Sequence, residues 1–196
     1  NNLIMSKIKR IKYKSKIVKV DTKLAYNFVK KLENKNFLSG SNLENLSFVI
    51  MLSKILKVRN KNLFDAIRRF KGLKYRQQII FKNKDLTIIN DSKSTSYSSS
   101  IEVLKEKKNI YWIIGGIPKK GDKFNLPNKY FKNIKGYIFG KNQKKFLLDL
   151  NKKIELKKFS NLKNAWITII KDIKNDNLKE KTILFSPAAA SFDNFK

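Results

Sequence analysis

Three stretches of the chain end in residues suited to holding a charged small molecule. Residues 88–95 read Ile-Ile-Asn-Asp-Ser-Lys-Ser-Thr, an apolar run that empties into hydroxyls, the carboxylate of Asp91 and the ammonium of Lys93. Residues 110–119 read Ile-Tyr-Trp-Ile-Ile-Gly-Gly-Ile-Pro-Lys, an apolar run followed by paired glycines and Lys119. Residues 182–193 repeat the design as Thr-Ile-Leu-Phe-Ser-Pro-Ala-Ala-Ala-Ser-Phe-Asp. In open α/β sheets, ligands sit outside the carboxyl ends of such strands. A helix that starts after the first loop offers free N–H donors and partial positive charge to an anion. Lys93 adds a full charge, Thr95 a hydroxyl donor, and Asp91 an acceptor for ribose hydroxyls. Ser94, Thr95 and Ser96 serve equally well as plain helix caps. Gly115 and Gly116 allow close approach of a ligand, or simply a tight turn. Ser191 offers an N–H and a hydroxyl to a carboxylate, although a small-residue loop also suits ordinary packing.

Composition narrows the chemistry further. The 196 residues contain no cysteine and no histidine. Disulfides, thiolate metal sites and a cysteine nucleophile are excluded, and so are the commonest metal ligand and the commonest general base near neutral pH. Catalysis must use Asp, Glu, Lys, Ser or backbone groups. No run approaches the roughly 20 apolar residues that span a bilayer. The basic start of the chain lacks the apolar core and cleavage site of a signal peptide. A cytoplasmic location, a monomer and no membrane partner are expected. The net charge of +30 invites a nucleic-acid reading. Only Arg10, Arg59, Arg68, Arg69 and Arg76 among the 45 basic residues are arginine, the preferred type for bidentate phosphate and base contacts. Lysines spread along the whole chain, without interleaved aromatics, fit a solvated surface better than a nucleic-acid platform.

The elements that must position these loops follow from periodicity. Residues 22–32 form a weak amphipathic pattern through Leu24, Phe28 and Leu32. Residues 42–58 carry a wide apolar face (Leu43, Leu46, Val49, Ile50, Leu52, Leu56), so a well-buried helix capped by Ser41 or Asn42 is expected. A helix over 62–70 follows, stopped by Gly72. The texture then changes. Strands over 77–81 and 86–89 read as a hairpin; helix 96–105, strand 109–114, helix 127–133, strand 136–139, helix 142–151, a short strand at 154–156, helix 162–174 and strand 182–185 follow. Before residue 22, Ile8, Ile11, Ile17, Val18 and Val20 suggest only short strand pieces. Alternating strands and helices predict an α/β fold, a Rossmann-like, mainly parallel sheet with helices on both faces. A boundary is placed near Gly72, giving units over 1–72 and 73–196.

Taken together, the motifs carry a resemblance that none carries alone. Asp-Ser-Lys-x-Thr after a strand is followed by Gly-Gly-x-x-Lys-x-x-Asp (Gly115, Gly116, Lys119, Asp122). Leu-x-Ser-Pro-Ala-x-Ala-Ser-x-Asp comes last (Leu184, Ser186, Pro187, Ala188, Ala190, Ser191, Asp193). The set resembles the Mur ligase family, most closely its D-glutamate-adding branch. Leu73-Lys74-Tyr75-Arg76-Gln77-Gln78 is similar to the family's Leu-x-His-Arg-x-Glu segment, and residues 39–45 to its Gly-x-His-Asn-x-x-Asn segment. The resemblance implies that residues 1–72 are a helical remnant of a central ATPase domain and that 73–196 are the amino-acid-binding domain. It implies ATP-dependent ligation in peptidoglycan precursor synthesis, with D-glutamate, a UDP-linked muramoyl-alanine and ATP with Mg²⁺ as small-molecule partners. By the same resemblance, Asn42 and Asn45 face adenine, Arg76 reaches the phosphates, and Asp91 and Lys93 lie by the ribose and reaction centre. Thr95 and Lys119 would hold one carboxylate of D-glutamate, and Ser191 the other.

Departures accompany the likeness. Ser41 and Tyr75 replace histidines, Ser39 a glycine, Gln78 a glutamate and Ser96 an asparagine. No Gly-x-x-x-x-Gly-Lys-Ser/Thr loop occurs. The phosphate loop, the Mg²⁺ ligands and a UDP-binding domain are therefore expected upstream. The chain by itself is read as a fragment that does not turn over ATP. The competing expectations are a Mur ligase or folylpolyglutamate synthase with another acceptor, and a lysine-rich nucleic-acid-binding module.

Overall fold

A computed structural model describes residues 18–32, 34, 37 and 40–190. The strand pieces expected from Ile8, Ile11 and Ile17 lie outside the described residues, and Val18 and Val20 are in irregular chain. The chain divides between Lys71 and Gly72 into two compact units.

The first unit holds three helices: α1 (Thr22–Leu32), α2 (Gly40–Ile55) and α3 (Asn60–Arg69). Ala25, Val29, Leu46, Ile50, Leu63 and Ile67 form its core, with Phe28 stacked on Phe64 and Phe37 on Phe70. The Asn34 amide donates to the carbonyls of Ile67 (2.7 Å) and Phe70 (2.9 Å), closing the end of α3. The stop is thus at Phe70 rather than Gly72. Helix α2 begins at Gly40, so Ser41 and Asn42 lie in its first turn instead of capping it. The expectation of a well-buried α2 also needs correction. Leu46 and Ile50 are buried, but Phe48, Val49, Leu52, Ile55 and Leu56 are exposed. A helix apolar all round needs cover on two sides, and α1 and α3 cover one.

The second unit is a six-stranded sheet. Its strands are β1 (Gln78–Lys82), β2 (Leu86–Asn90), β3 (Ile110–Gly115), β4 (Ile134–Phe139), β5 (Glu155–Phe159) and β6 (Lys181–Phe185), in the order β1-β2-β6-β3-β4-β5. Strands β2 to β6 pair in parallel; β1 joins β2 as an antiparallel edge, as the hairpin pattern predicts. All six residues of β3 are buried, as befits a strand covered on both faces. Alternate side chains point to opposite sides. Trp112, Ile114, Ile138 and Leu184 pack with Val103 and Leu104 of α4 (Tyr97–Glu106) and with Phe146 and Leu150 of α5 (Gln143–Leu150). Tyr111, Ile113, Tyr137 and Ile183 pack with Ala165 and Ile169 of α6 (Leu162–Asn175) on the other side. The segment expected as a helix over 127–133 is a 3-10 helix, Asn128–Asn133, which leads straight into β4 at Ile134.

The α6 face shows how lysines and carboxylates are absorbed into this fold. The Tyr111 hydroxyl donates to Asp176 (2.6 Å) and the Tyr137 hydroxyl to Asp172 (2.6 Å). Lys135 pairs with Asp176 at 3.0 Å and Lys157 with Asp172 at 2.6 Å. Donation from Tyr111 and Lys135, together with the Leu178 N–H, holds the Asp176 carboxyl down to about 2. Burial works against ionisation at Asp172, but Lys157 and Tyr137 outweigh it and lower that carboxyl as well. Burial and the facing carboxylates push the Tyr111 and Tyr137 hydroxyls upward, so both remain donors.

Candidate functional site

Strand β6 lies between β2 and β3, although the chain passes from β2 through α4 to β3 first. The carboxyl ends of these strands therefore carry loops that are distant in sequence, the crevice where ligands of such sheets bind. A cavity of about 330 Å³ opens there, lined by Tyr75, Ser92, Lys93, Gly115, Phe139, Phe185 and Pro187. That volume lies at the lower end for small-molecule sites.

Asp91 organises the first loop from within. It is 2% exposed. Its Oδ1 accepts the Gln77 N–H at 3.0 Å; its Oδ2 accepts the hydroxyls of Ser94 at 2.6 Å and Ser186 at 3.0 Å. Burial pushes its carboxyl upward, opposed by those donors and by the Arg76 guanidinium. The expectation that Asp91 accepts from ribose hydroxyls does not fit this geometry, because both oxygens face inward and are engaged. Lys93 and Thr95, by contrast, are exposed.

The turn before β1 is clamped onto this loop. The Lys93 N–H donates to the Tyr75 carbonyl at 3.0 Å, and the Tyr75 N–H to Gln78 Oε1 at 3.0 Å. Gln78 stands where the resemblance has glutamate, and its amide oxygen serves here as the acceptor. Tyr75 and Gln77 take positive φ values of 64° and 49°, a backbone that non-glycine residues adopt only when the surroundings hold it. Arg76 is thereby brought to the side of Asp91 and is itself exposed.

Helix α4 starts at Tyr97, with Ser96 as its N-cap. Its Tyr97 N–H is taken by Asp122 Oδ2 at 2.6 Å, a carboxylate from the Gly115–Asp122 loop. An acidic acceptor at a helix N-terminus is favoured by both the free donors and the helix dipole. Lys145 of α5 donates to the Asp122 carbonyl at 3.4 Å and to Asp149 at 2.8 Å, and Asp149 accepts the Tyr97 hydroxyl at 3.2 Å. The third loop joins through an isolated bridge: the Ile117 N–H donates to the Ala190 carbonyl at 2.7 Å and the Ala190 N–H returns to Ile117 at 3.2 Å.

The glycine pair serves this packing. A Cβ on Gly116, at φ +116°, would stand 2.4 Å from the Ala190 oxygen, and one on Gly115 would stand 2.5 Å from the Phe139 oxygen. The close approach that these glycines permit is of chain to chain, to Phe139 at Gly115 and to Ala190 at Gly116. The loops bearing Thr95 and Lys119 are tied together by Asp122, and the Lys119 loop is tied to Ala190. Ser191 and Asp193 lie outside the described residues. Asn42 and Asn45 are on α2, in the first unit. Asp122 and Ser186 stand in the sequence motifs without an assigned role, and the parts played by Ser100, Tyr97 and Lys145 come from the structure alone. A hydroxyl at an otherwise apolar helix position, as at Ser100, was the available signal. Among the described residues, no three carboxylates or imidazoles cluster closely enough to hold a metal ion.

Comparison with known proteins agrees with this architecture. No protein-family model matches the sequence. A UDP-N-acetylmuramoylalanine–D-glutamate ligase of Rickettsia felis is 32% identical over 163 residues, which cover 83% of this chain and 36% of the relative. The enzyme of the same name from Wolbachia sp. subsp. Brugia malayi is 35% identical over 175 residues, covering 85% of this chain and 34% of the relative. The crystal structure of MurF from Acinetobacter baumannii superposes with a TM-score of 0.57 at 15% identity, over 76% of this chain and 35% of that one, a likeness of fold. By these likenesses the chain is a homologue of Mur ligases over more than four fifths of its length. It spans about a third of the length of the curated relatives it matches. None of its described helices is long and apolar enough to cross a membrane.

Proposed function

We propose that the chain is the acceptor-binding part of an ATP-dependent ligase that adds D-glutamate to UDP-N-acetylmuramoyl-L-alanine. The observation that carries this reading is the joining of three loops at one sheet edge by the Asp122–Tyr97 and Ile117–Ala190 hydrogen bonds. D-glutamate carries two carboxylates, and this edge offers hydroxyl and ammonium donors beside a helix N-terminus, the groups that suit anions. In this reading Thr95 and Lys119 hold one carboxylate and Ser191 the other. Asn42 and Asn45 face adenine. Arg76 reaches the phosphates, Lys93 lies by the ribose and the reaction centre, and Asp91 acts behind them by holding the loop. Residues 1–72 are then the end of an ATPase domain and residues 73–196 the amino-acid-binding domain. The reaction takes place in the cytoplasm, with a monomeric enzyme.

The chemistry follows from placement. ATP converts the muramoyl-alanine carboxylate to an acyl phosphate. The amine of D-glutamate then forms the C–N bond as the C–O bond to phosphate breaks, and the nitrogen sheds a proton to solvent. Holding amine and acyl carbon together is chiefly an orientation effect. In this reading Mg²⁺ accompanies ATP through the nucleotide's phosphates. The test compares D-glutamate, L-lysine, meso-diaminopimelate and D-alanyl-D-alanine as acceptors for the complete ligase that carries this sequence. D-glutamate alone should give ADP and amide product. Preference for another acceptor refutes the D-glutamate assignment, and no acceptor-dependent ADP refutes the ligase reading.

A further inference from the structure

Asp91, Ser94, Ser100 and Ser186 form one buried cluster of three hydroxyls and a carboxylate. It joins three elements: Asp91 follows β2, Ser186 follows β6, and Ser100 lies on α4. The Ser100 and Ser186 Oγ atoms are 2.6 Å apart, and the Ser186 Oγ donates to Asp91 Oδ2 at 3.0 Å. A serine hydroxyl has one proton to give. Ser186 gives its proton to Asp91, so Ser100 must be the donor to Ser186. The Trp112 indole N–H donates to the Ser186 carbonyl at 2.8 Å and anchors that residue to β3. Neither serine is accessible to a ligand.

We propose that Ser100 and Ser186 are positioning residues of the acceptor site: a one-way hydroxyl relay from Ser100 through Ser186 fixes the Asp91 carboxylate, and through it the turn that presents Lys93 and Thr95. The role given to Thr95 rests on the D-glutamate reading above; the relay itself does not. The groups facing Asp91 are the Gln77 N–H from the turn before β1, the Ser94 hydroxyl from its own loop and the Ser186 hydroxyl from the end of β6. The charged group acting on it is Arg76. Without the Ser186 hydroxyl, Asp91 Oδ2 keeps only Ser94 as a donor, and a buried carboxylate that loses a donor takes up a proton more readily or shifts its loop.

The experiment follows the Asp91 carboxyl carbon by NMR through a pH titration of the chain, unsubstituted and as Ser186→Ala and Ser100→Ala. D-glutamate affinity is measured by calorimetry at several pH values. The relay predicts a higher Asp91 midpoint in Ser186→Ala and a smaller rise in Ser100→Ala, with the Asp176 midpoint unmoved. It predicts D-glutamate binding about tenfold weaker in Ser186→Ala at mildly acid pH, the loss of a hydrogen bond to a charged group. That deficit should shrink as rising pH ionises Asp91, a recovery that simple loss of packing would not give. Ser100→Ala removes a hydroxyl from a helix interior, where alanine is favourable, and so stays informative if Ser186→Ala does not fold. An unmoved Asp91 midpoint in the variants that fold, or a binding deficit equal at all pH values, overturns the proposal. If the unsubstituted chain binds no D-glutamate while the Asp91 midpoint moves as stated, the relay stands and the acceptor reading fails.

Discussion

Asp122 Oδ2 accepts the backbone N–H of Tyr97 at 2.6 Å, across a sequence separation of 25 residues. One carboxylate thus caps the helix that follows Thr95 and fixes the loop that carries Lys119. Asp122→Ala should destabilise the unit by about 1 kcal/mol, the usual cost of a lost helix cap, read as a lower urea midpoint. It should also weaken D-glutamate binding more than its stability cost explains, because both proposed carboxylate ligands lose their common reference. Unchanged affinity would separate the cap from the site.

Gly116→Ala should be among the more damaging single-methyl additions. The positive φ disfavours any side chain, and the new carbon would stand 2.4 Å from the Ala190 oxygen. A loss of more than about 1 kcal/mol is expected, with the amide signals of Ile117 and Ala190 shifting in NMR spectra. Preserved signals at both positions would show that the bridge tolerates the methyl.

Acid should destabilise the fold through the α6 face. The Asp176 carboxyl is held at about 2, below its ordinary 3.8, and Asp172 is lowered too. The stability these groups add is fully present above the ordinary carboxylate value and is lost as pH falls through the folded value. Unfolding midpoints should therefore drop between about pH 4 and pH 2, and Asp176→Asn should flatten that slope by on the order of 1 kcal/mol. Asp91 acts in the opposite sense. Its carboxyl is raised, so its contribution is greatest at low pH and declines as pH rises through the folded value. A slope that Asp176→Asn leaves unchanged would contradict this assignment.

Lys119 and Thr95 are both exposed, so Lys119→Met and Thr95→Val should leave thermal stability within about 0.5 kcal/mol. In the complete ligase each should raise the KM for D-glutamate by about tenfold or more, the loss of one charge-assisted hydrogen bond, with the KM for ATP changed little. Equal effects on both substrates would move these residues away from the acceptor.

The fold was largely legible because apolar period is a strong signal. β3 is six consecutive buried residues, and its shortness, its isoleucines and aromatics and the glycines that end it favour a strand over a buried helix. The limits were set by packing that a linear pattern does not contain. The apolar stripe of α2 predicts burial for Val49, Leu52 and Leu56, yet whether a partner covers that stripe is not encoded in the stripe itself. The loop chemistry was readable as a set of ligand types, Lys93, Thr95 and Lys119. The inward turn of Asp91 was not, since it depends on Gln77 approaching from the turn before β1 and Ser186 from the end of β6. The glycine pair shows the same limit: the need for a missing side chain was legible, but which neighbour filled the space was not.

The central place of β6 has a consequence for how the protein is made. Its partners β2 and β3 emerge from the ribosome long before residues 181–185 do, and Asp91 must wait for Ser186, 95 residues later. Contacts so distant along the chain slow the search for the native state. Until β6 slots in, β2 and β3 both present unpaired edges, so nascent chains stalled short of residue 181 should be the form that chaperones capture and proteases clear.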